Sequence, residues 1–231
     1  LYPPMLIDTH KKLKIKKQKI YKQLKNIQLI TPSVWLNNLV KKSSLKKFAN
    51  TTIYNGVDTN KYKPKKINQQ KIIITTVISG GFQSPFKGGE LIKNLIPLIK
   101  NLDLELHFVG GKKKHRDSNI IYHGKLDQKQ LINQYQQSTA ILVPSLADNC
   151  PMVIIESLSC GIPVIATKVG GIPELITHKK NGYLADPNLN SLLNGINWLM
   201  KLNNKEINKI KKNNRQKTLK NFSLSTMVNK Y

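Results

Sequence analysis

The sequence predicts an α/β fold built on a doubly wound parallel sheet, and three observations carry that expectation. Short apolar runs alternate with segments whose apolar residues recur at helical spacing. One run, Ile72–Ile78, is apolar on both of its alternating faces, as a strand buried in a parallel sheet should be. The strings Ile30-Thr31-Pro32-Ser33 and Leu142-Val143-Pro144-Ser145 echo each other as strand, Pro-Ser, then helix. Two related strand–helix units would give such an echo.

Taken in chain order, residues 10–25 are basic and place Leu13, Ile15, Ile20, Tyr21 and Leu24 on a rough helical period. A short apolar piece, Ile27–Ile30, follows. Ser33 is the expected N-cap of a helix carrying Trp35, Leu36, Leu39, Val40 and Phe48. Thr51–Tyr54 reads as a strand, and Asn55-Gly56-Val57-Asp58 as a turn with Gly56 at positive φ. Lys61–Lys71, lysine-rich with Pro64 and a single apolar residue after Tyr62, reads as a linker. Beyond it, strands are expected at Ile72–Ile78, Leu104–Val109, Ile120–Tyr122, Ala140–Val143, Pro163–Ala166 and Gly182–Leu184. Helices are expected around Leu91–Ile99, Gln128–Gln137, Met152–Cys160 and Asn190–Met200.

Composition bounds the function classes. With 39% hydrophobic residues, 231 residues suffice for one large domain, or one complete domain and part of another. The longest apolar runs fall well short of the roughly 20 residues a membrane span needs. The opening LYPPMLIDTH shows neither a basic leader segment nor an apolar core, so no secretory signal is read there and a cytoplasmic location is expected. Cys150 and Cys160 are read as reduced, partly buried thiols. The net charge of +26 invites a nucleic-acid reading. Yet only Arg116 and Arg215 are arginines, and aromatics are 6%. Base readers lean on arginine forks and stacking platforms. Compositional drift toward lysine is the simpler reading, with attraction to an anionic membrane surface second; no specific nucleic acid is expected.

Chemistry in an open parallel sheet belongs at the carboxyl ends of the strands, where helix N-termini point into a crevice. The richest stretch there follows Ala140–Val143. Pro151 suits a first helical turn and Gly161 a helix stop. Free amides near Cys150 and Met152 would then attract phosphate. Asp148 precedes the helix and Glu156 lies about one and a half turns in, roughly 7–8 Å along the axis. Two carboxylates at two levels could address different parts of an elongated ligand. Taken singly, Asp148 is equally an N-cap and Glu156 a solvated helix carboxylate. The five histidines are scattered, and each is read as structural.

The stretch Leu146-Ala147-Asp148-Asn149-Cys150-Pro151 through Glu156-Ser157-Leu158-Ser159-Cys160-Gly161 and on to Gly170-Gly171-Ile172-Pro173-Glu174 resembles the signature of the family 4 retaining glycosyltransferases, which have the two-domain GT-B architecture. Ile53–Asp58 is similar to the family's interdomain turn. Gly80-Gly81 through Lys87-Gly88 resembles its phosphate loop, His123-Gly124-Lys125-Leu126 its base-contacting loop, and Asn221-Phe222-Ser223 the start of its last helix. The resemblance implies a Rossmann-like, nucleotide-sugar-binding domain over 71–216 and a linker over 58–70. It also implies the tail of an acceptor-side domain over 1–57 and a closing helix over 217–231 that crosses back to it. Gly80, Gly81, Lys87, Cys150, Pro151, Met152 and Val153 would line the diphosphate, Asn149 would join them in the nucleotide-sugar site, and Lys125 and Leu126 would read the base. Glu156 would hold the ribose and Asp148 the donor sugar, with Asp148, Glu156 and Lys87 carrying the catalysis. No metal and no cofactor are implied. The partners are a nucleotide-sugar donor and a glycan or lipid acceptor, with peripheral attachment to the inner face of the membrane.

Two departures stand out. The family's first acid is glutamate, shortened here to Asp148. Its lysine is often paired with an arginine where this chain has Phe82 and Phe86. Most of the first domain has no counterpart, so a fragment that binds without turnover is the expected alternative. A phosphorylase or epimerase lacks the residues it would need, and a basic membrane- or nucleic-acid-binding protein is the more distant reading.

Overall fold

The computed structural model describes residues 10–67 and 71–231; residues 1–9 of the expected first domain and 68–70 of the expected linker lie outside them. The main sheet has six parallel strands: β3 (Ile72–Val77), β4 (Leu104–Asp117), β5 (Ile120–Gly124), β6 (Ala140–Val143), β7 (Val164–Thr167) and β8 (Gly182–Ala185). Their order across the sheet is β5-β4-β3-β6-β7-β8. Registers such as Ile74↔Ala140 and Ile141↔Val164 align the central strands at their carboxyl ends. The doubly wound reading is confirmed.

Alternation along each strand divides the core in two. Ile141, Val143, Val164 and Ala166 pack with Tyr135, Ile154, Ile155 and Leu158 on one face. Ile74, Leu142 and Ile165 pack with Ile92, Leu95, Ile99, Leu192, Ile196 and Leu199 on the other. The helices behind these faces are α3 (Gly89–Ile99), α4 (Gln128–Gln137), α5 (Met152–Ser159), the one-turn α6 (Ile172–Leu175) and α7 (Leu189–Met200). Each strand therefore stays apolar on both sides because each side is roofed by helices.

A smaller unit precedes this domain. β1 (Gln28–Thr31) and β2 (Ala49–Thr52) pair in parallel, with α2 (Val34–Lys41) between them and the basic helix α1 (His10–Gln23) ahead. Ser33 caps α2 as expected, its Oγ accepting from the Leu36 amide at 3.0 Å. β2 ends at Thr52 rather than Tyr54: Ile53 N still reaches Thr31 O at 2.9 Å, but Tyr54 turns its ring edge-on to Phe222. Gly56 is not at positive φ as expected. Its small size is needed for a different reason, since a Cβ there would lie 2.9 Å from Leu224 Cα and Ser223 O. Here the chain's two crossings run side by side, with Val57 N donating to Phe222 O and Leu224 N to Val57 O.

The helix missing from the sequence reading is α8 (Asn204–Asn221), which runs through residue 217, where a separate closing helix was expected. Its mean hydropathy is low and its buried face is largely polar: Ile210, Asn214 and Thr218. Asn203 and Glu206 start it with a capping box. The closing helix, α9 (Leu224–Val228), is only five residues long and begins after Ser223. The linker is anchored in its first half: Arg215 donates to Tyr62 O at 2.8 Å and Thr59 O at 2.9 Å. No helix among the described residues is long and apolar enough to cross a membrane.

Asn214 is fully buried and donates through Nδ2 to Ile162 O and Asn181 O, both at 3.1 Å. Asn214→Ala leaves both carbonyls unpartnered and is expected to cost about 1–3 kcal/mol. A lower urea midpoint at unchanged slope would register it; an unchanged midpoint would mean that α8 is not tied to the domain through this residue.

Candidate functional site

From β3 the chain winds to β4, and from β6 it winds the opposite way to β7, so the crevice between β3 and β6 is the switch point of the sheet. Two loops meet there. The loop after β3 carries Gly80 and Gly81, both at positive φ, a short 3-10 turn (Gly81–Gln83), and then Lys87. Gly88 N-caps α3 at φ +73° and abuts the other loop so closely that a Cβ would stand 1.9 Å from Pro144 O. The loop after β6 locks onto it by donating from Leu146 N (2.8 Å) and Ala147 N (3.2 Å) to Phe86 O. Only glycine satisfies both the dihedral and the approach at position 88.

That docking brings Lys87 and Asp148 together across 61 residues of sequence, with Lys87 Nζ 2.6 Å from Asp148 Oδ2. Asp148 also accepts from Ser145 Oγ at 3.3 Å and, through Oδ1, from the Asn149 amide at 3.0 Å. The Lys87 side chain is 41% exposed while that of Asp148 is 11%. The pair is thus a half-open cation over a recessed anion. Behind it, Pro151 is the N-cap of α5, one position before the first helical turn expected for it. Cys150 and Pro151 are buried, and Met152 and Val153 half-buried. Burial raises the Cys150 thiol to about 11 and the Cys160 thiol to about 12, which makes both poor nucleophiles at neutral pH.

Glu156 is not a solvated helix carboxylate. Its Oε2 accepts a 2.8 Å hydrogen bond from the Tyr135 hydroxyl, and Tyr135 is fully buried. Desolvation pushes the carboxyl above its ordinary range, and the hydroxyls of Tyr135 and Tyr62 pull it back only in part. Neither tyrosine was legible as a site residue: Tyr135 lies within a glutamine-rich helix and Tyr62 at the edge of an apparent linker.

The loop is also held from the smaller unit. Ser33 Oγ donates to Asn149 Oδ1, and Asn55 Nδ2 to Cys150 O at 3.3 Å. On the other side, Gly170 lies against the backbone of Asp148, where a Cβ would come within 1.7 Å of its carbonyl oxygen. Glu174 closes this clasp by accepting from Val34 N (2.8 Å), Trp35 N (2.7 Å) and the Tyr54 hydroxyl (2.7 Å). A carboxylate at the start of α2 complements its free amides. Burial and Glu174 together drive the Tyr54 hydroxyl well above its usual range.

Lys125 and Leu126 follow Gly124 at the end of β5, two strands from β3 at the sheet edge, with Lys125 exposed and Leu126 half-buried. Neither is hydrogen-bonded or ion-paired to Lys87 or Asp148. Beneath them His123 Nε2 lies 3.0 Å from His107 Nδ1, which Gln134 Nε2 also approaches at 2.8 Å. These two histidines belong to a packed polar layer. Among the described residues, no group of three or more His, Cys, Asp or Glu side chains could hold a metal ion.

A family model described as glycosyl transferases group 1 matches residues 58–217, more than half of the chain. The chain belongs to that family. The N-acetyl-alpha-D-glucosaminyl L-malate synthase of Bacillus anthracis is 26% identical over 156 residues, covering 58% of this chain and 40% of that protein. An uncharacterised glycosyltransferase of Methanocaldococcus jannaschii is 30% identical over 187 residues, covering 76% of this chain and 50% of its own length. The chain therefore spans half or less of the length of these curated relatives. Among solved structures, Anabaena HepE in complex with UDP superposes with a TM-score of 0.77 at 20% identity, covering 97% of this chain and 68% of that one. The fold is that of the GT-B glycosyltransferases.

Half-buried and desolvated, Glu156 makes stability depend on pH. Its folded carboxyl titrates above its unfolded value, so the folded state holds the extra proton and stability falls as pH rises through that window. Glu156→Gln keeps an acceptor for Tyr135 and removes the half-buried charge. The ligand-free variant should therefore melt higher than the parent at pH 7, and the difference should vanish near pH 4. An equal or lower melting temperature at pH 7 would show that the carboxylate is not under strain.

Proposed function

We propose that this chain is the donor-binding part of a retaining, metal-independent glycosyltransferase of family 4 that takes a nucleotide-diphosphate sugar. One observation carries the reading above the others: Lys87, just before α3, meets Asp148, in the loop leading into α5, across the switch point, with Glu156 on α5 itself. Helix amides and one ammonium group can hold a diphosphate without a metal. A half-buried carboxylate one and a half turns deeper suits the paired hydroxyls of a ribose. Asp148, at the mouth, suits hydroxyls of the transferred sugar, and Lys125 and Leu126 at the sheet edge suit the base. The UDP complex of HepE supports a nucleotide in this fold.

In the proposed step the bond from the anomeric carbon to the β-phosphate oxygen breaks, and its electron pair stays on the phosphate. The acceptor hydroxyl oxygen bonds to the carbon from the same face, and its proton passes to the leaving phosphate oxygen. Lys87 and the amides of α3 and α5 stabilise the charge that develops there. The Cys150 and Cys160 thiols take no part.

The acceptor is proposed to be a glycan or lipid in polysaccharide or glycolipid synthesis. Helix α1 carries seven lysines and no acid and exposes Leu13, Ile15 and Ile20, which suits an anionic membrane surface on the cytoplasmic side. Co-sedimentation with vesicles rich in anionic lipid should be strong and fall steeply with salt; equal retention on neutral vesicles would remove the membrane from the reading.

The donor assignment is tested by calorimetry with UDP-, GDP- and ADP-sugars and their nucleoside diphosphates. Glu156→Ala should weaken the nucleotide that binds by about 1.5–3 kcal/mol, the worth of hydrogen bonds to a charged group. Lys87→Ala should weaken the diphosphate far more than the free nucleoside. Equal losses for both would reduce Lys87 to a structural role, and no nucleotide binding at all would refute the function.

A further inference from the structure

We propose that Asp148 is a release switch for the spent nucleotide: it competes with the diphosphate for Lys87 and recaptures the ammonium group once the sugar has gone. The proposal rests on the donor-site reading and deepens it by assigning how that site empties. Three observations carry it. Lys87 Nζ stands 2.6 Å from Asp148 Oδ2, so in the ligand-free protein the cation is already committed. No other anionic group is paired with Lys87 among the described residues, so the loop after β3 offers a diphosphate one ammonium and that one is shared. Lys87 is the one lysine or arginine between Ile78 and Gly88, and the Phe82 ring of the same loop is turned to the core against Phe108 at 4.5 Å.

Asp148 is fixed and Lys87 is free to move. The Asp148 carboxylate is recessed and tied to Ser145 Oγ and to its neighbour's amide, and its backbone is pinned against Gly170. Lys87 is 41% exposed, at the end of a flexible stem. A bound sugar donor would supply hydroxyl protons to Asp148, giving the carboxylate new partners while Lys87 turns to the phosphates. Transfer removes those hydroxyls together with the sugar. Asp148 is then a recessed anion facing a diphosphate, and like charges this close in a partly desolvated site are mutually destabilising. Its recapture of Lys87 takes away the diphosphate's cation at the same moment. The intact donor is thus held better than the product, which favours departure of the spent nucleotide.

The test is calorimetric titration of the parent protein, Asp148→Asn and Lys87→Ala/Asp148→Asn with the nucleoside diphosphate, nucleoside monophosphate and nucleoside of the base that binds. Asp148→Asn should bind the diphosphate about tenfold more tightly, a difference set by removing one competing charge. It should leave the nucleoside unchanged, and the gain should disappear in the double variant. An Asp148→Asn protein that binds the diphosphate no more tightly, or that gains equally for the nucleoside, overturns the switch while leaving the donor site intact. Failure of the parent to bind any nucleotide overturns both. Should the variants fold poorly, the Lys87 ammonium resonance of the unaltered protein reports the same exchange. It should shift on adding diphosphate and return toward its free position as the diphosphate is removed; a resonance that does not move overturns the proposal.

Discussion

The close approach of the loop after β6 to the two glycine-bearing loops beside it is the constraint on which the rest of the site depends. Gly88 admits Pro144, and Gly170 admits Asp148, each at a distance that no side chain tolerates. Between these two contacts the segment 144–151 has almost no freedom. It is further fixed by backbone hydrogen bonds to Phe86 O and by side chains reaching over from Ser33 and Asn55. Backbone packed this closely is costly to displace, since interiors transmit strain rather than absorb it. The placement of Asp148 and of the first turn of α5 follows from that packing and not from any property of the acid itself.

Glu156 shows the complementary strategy. Its position is inherited from a helix whose buried side is largely apolar, with Ile154, Ile155 and Leu158 fully buried beside the small hydroxyls of Ser157 and Ser159. A carboxylate there is destabilising to an empty protein, and the tyrosine hydroxyls relieve it only in part. A site that waits for hydroxyl partners gains affinity from that unmet demand. Such local cost is common where activity requires it, and it is offset by the packing elsewhere.

The parallel sheet and the crevice were legible because parallel strands buried on both faces leave unmistakable apolar runs, and because the segment from Ala147 to Glu174 is dense with turn and cap residues. What escaped has physical reasons. Helix α8 presents Asn214 and Thr218 to the core, so no apolar period announces it. Tyr135 looked like an ordinary member of a polar helix because its partner, Glu156, is 21 residues away and joined only by the fold. Gly56 invited a dihedral explanation although crowding is what excludes a side chain there. The pairing of Lys87 with Asp148 was invisible for the same reason: each residue was read against a ligand, and neither against the other.

The two cysteines have a consequence for anyone wishing to observe this molecule. Both are buried, unpaired and held protonated at neutral pH by desolvation. Thiol-directed dyes and spin labels attack the thiolate and need access to it. Neither native sulfur offers that, so the chain carries its own silent background. A single cysteine introduced on an exposed stretch such as helix α1 would stand alone as a point of attachment. The distance from there to any second label could then be followed without altering a residue of the core.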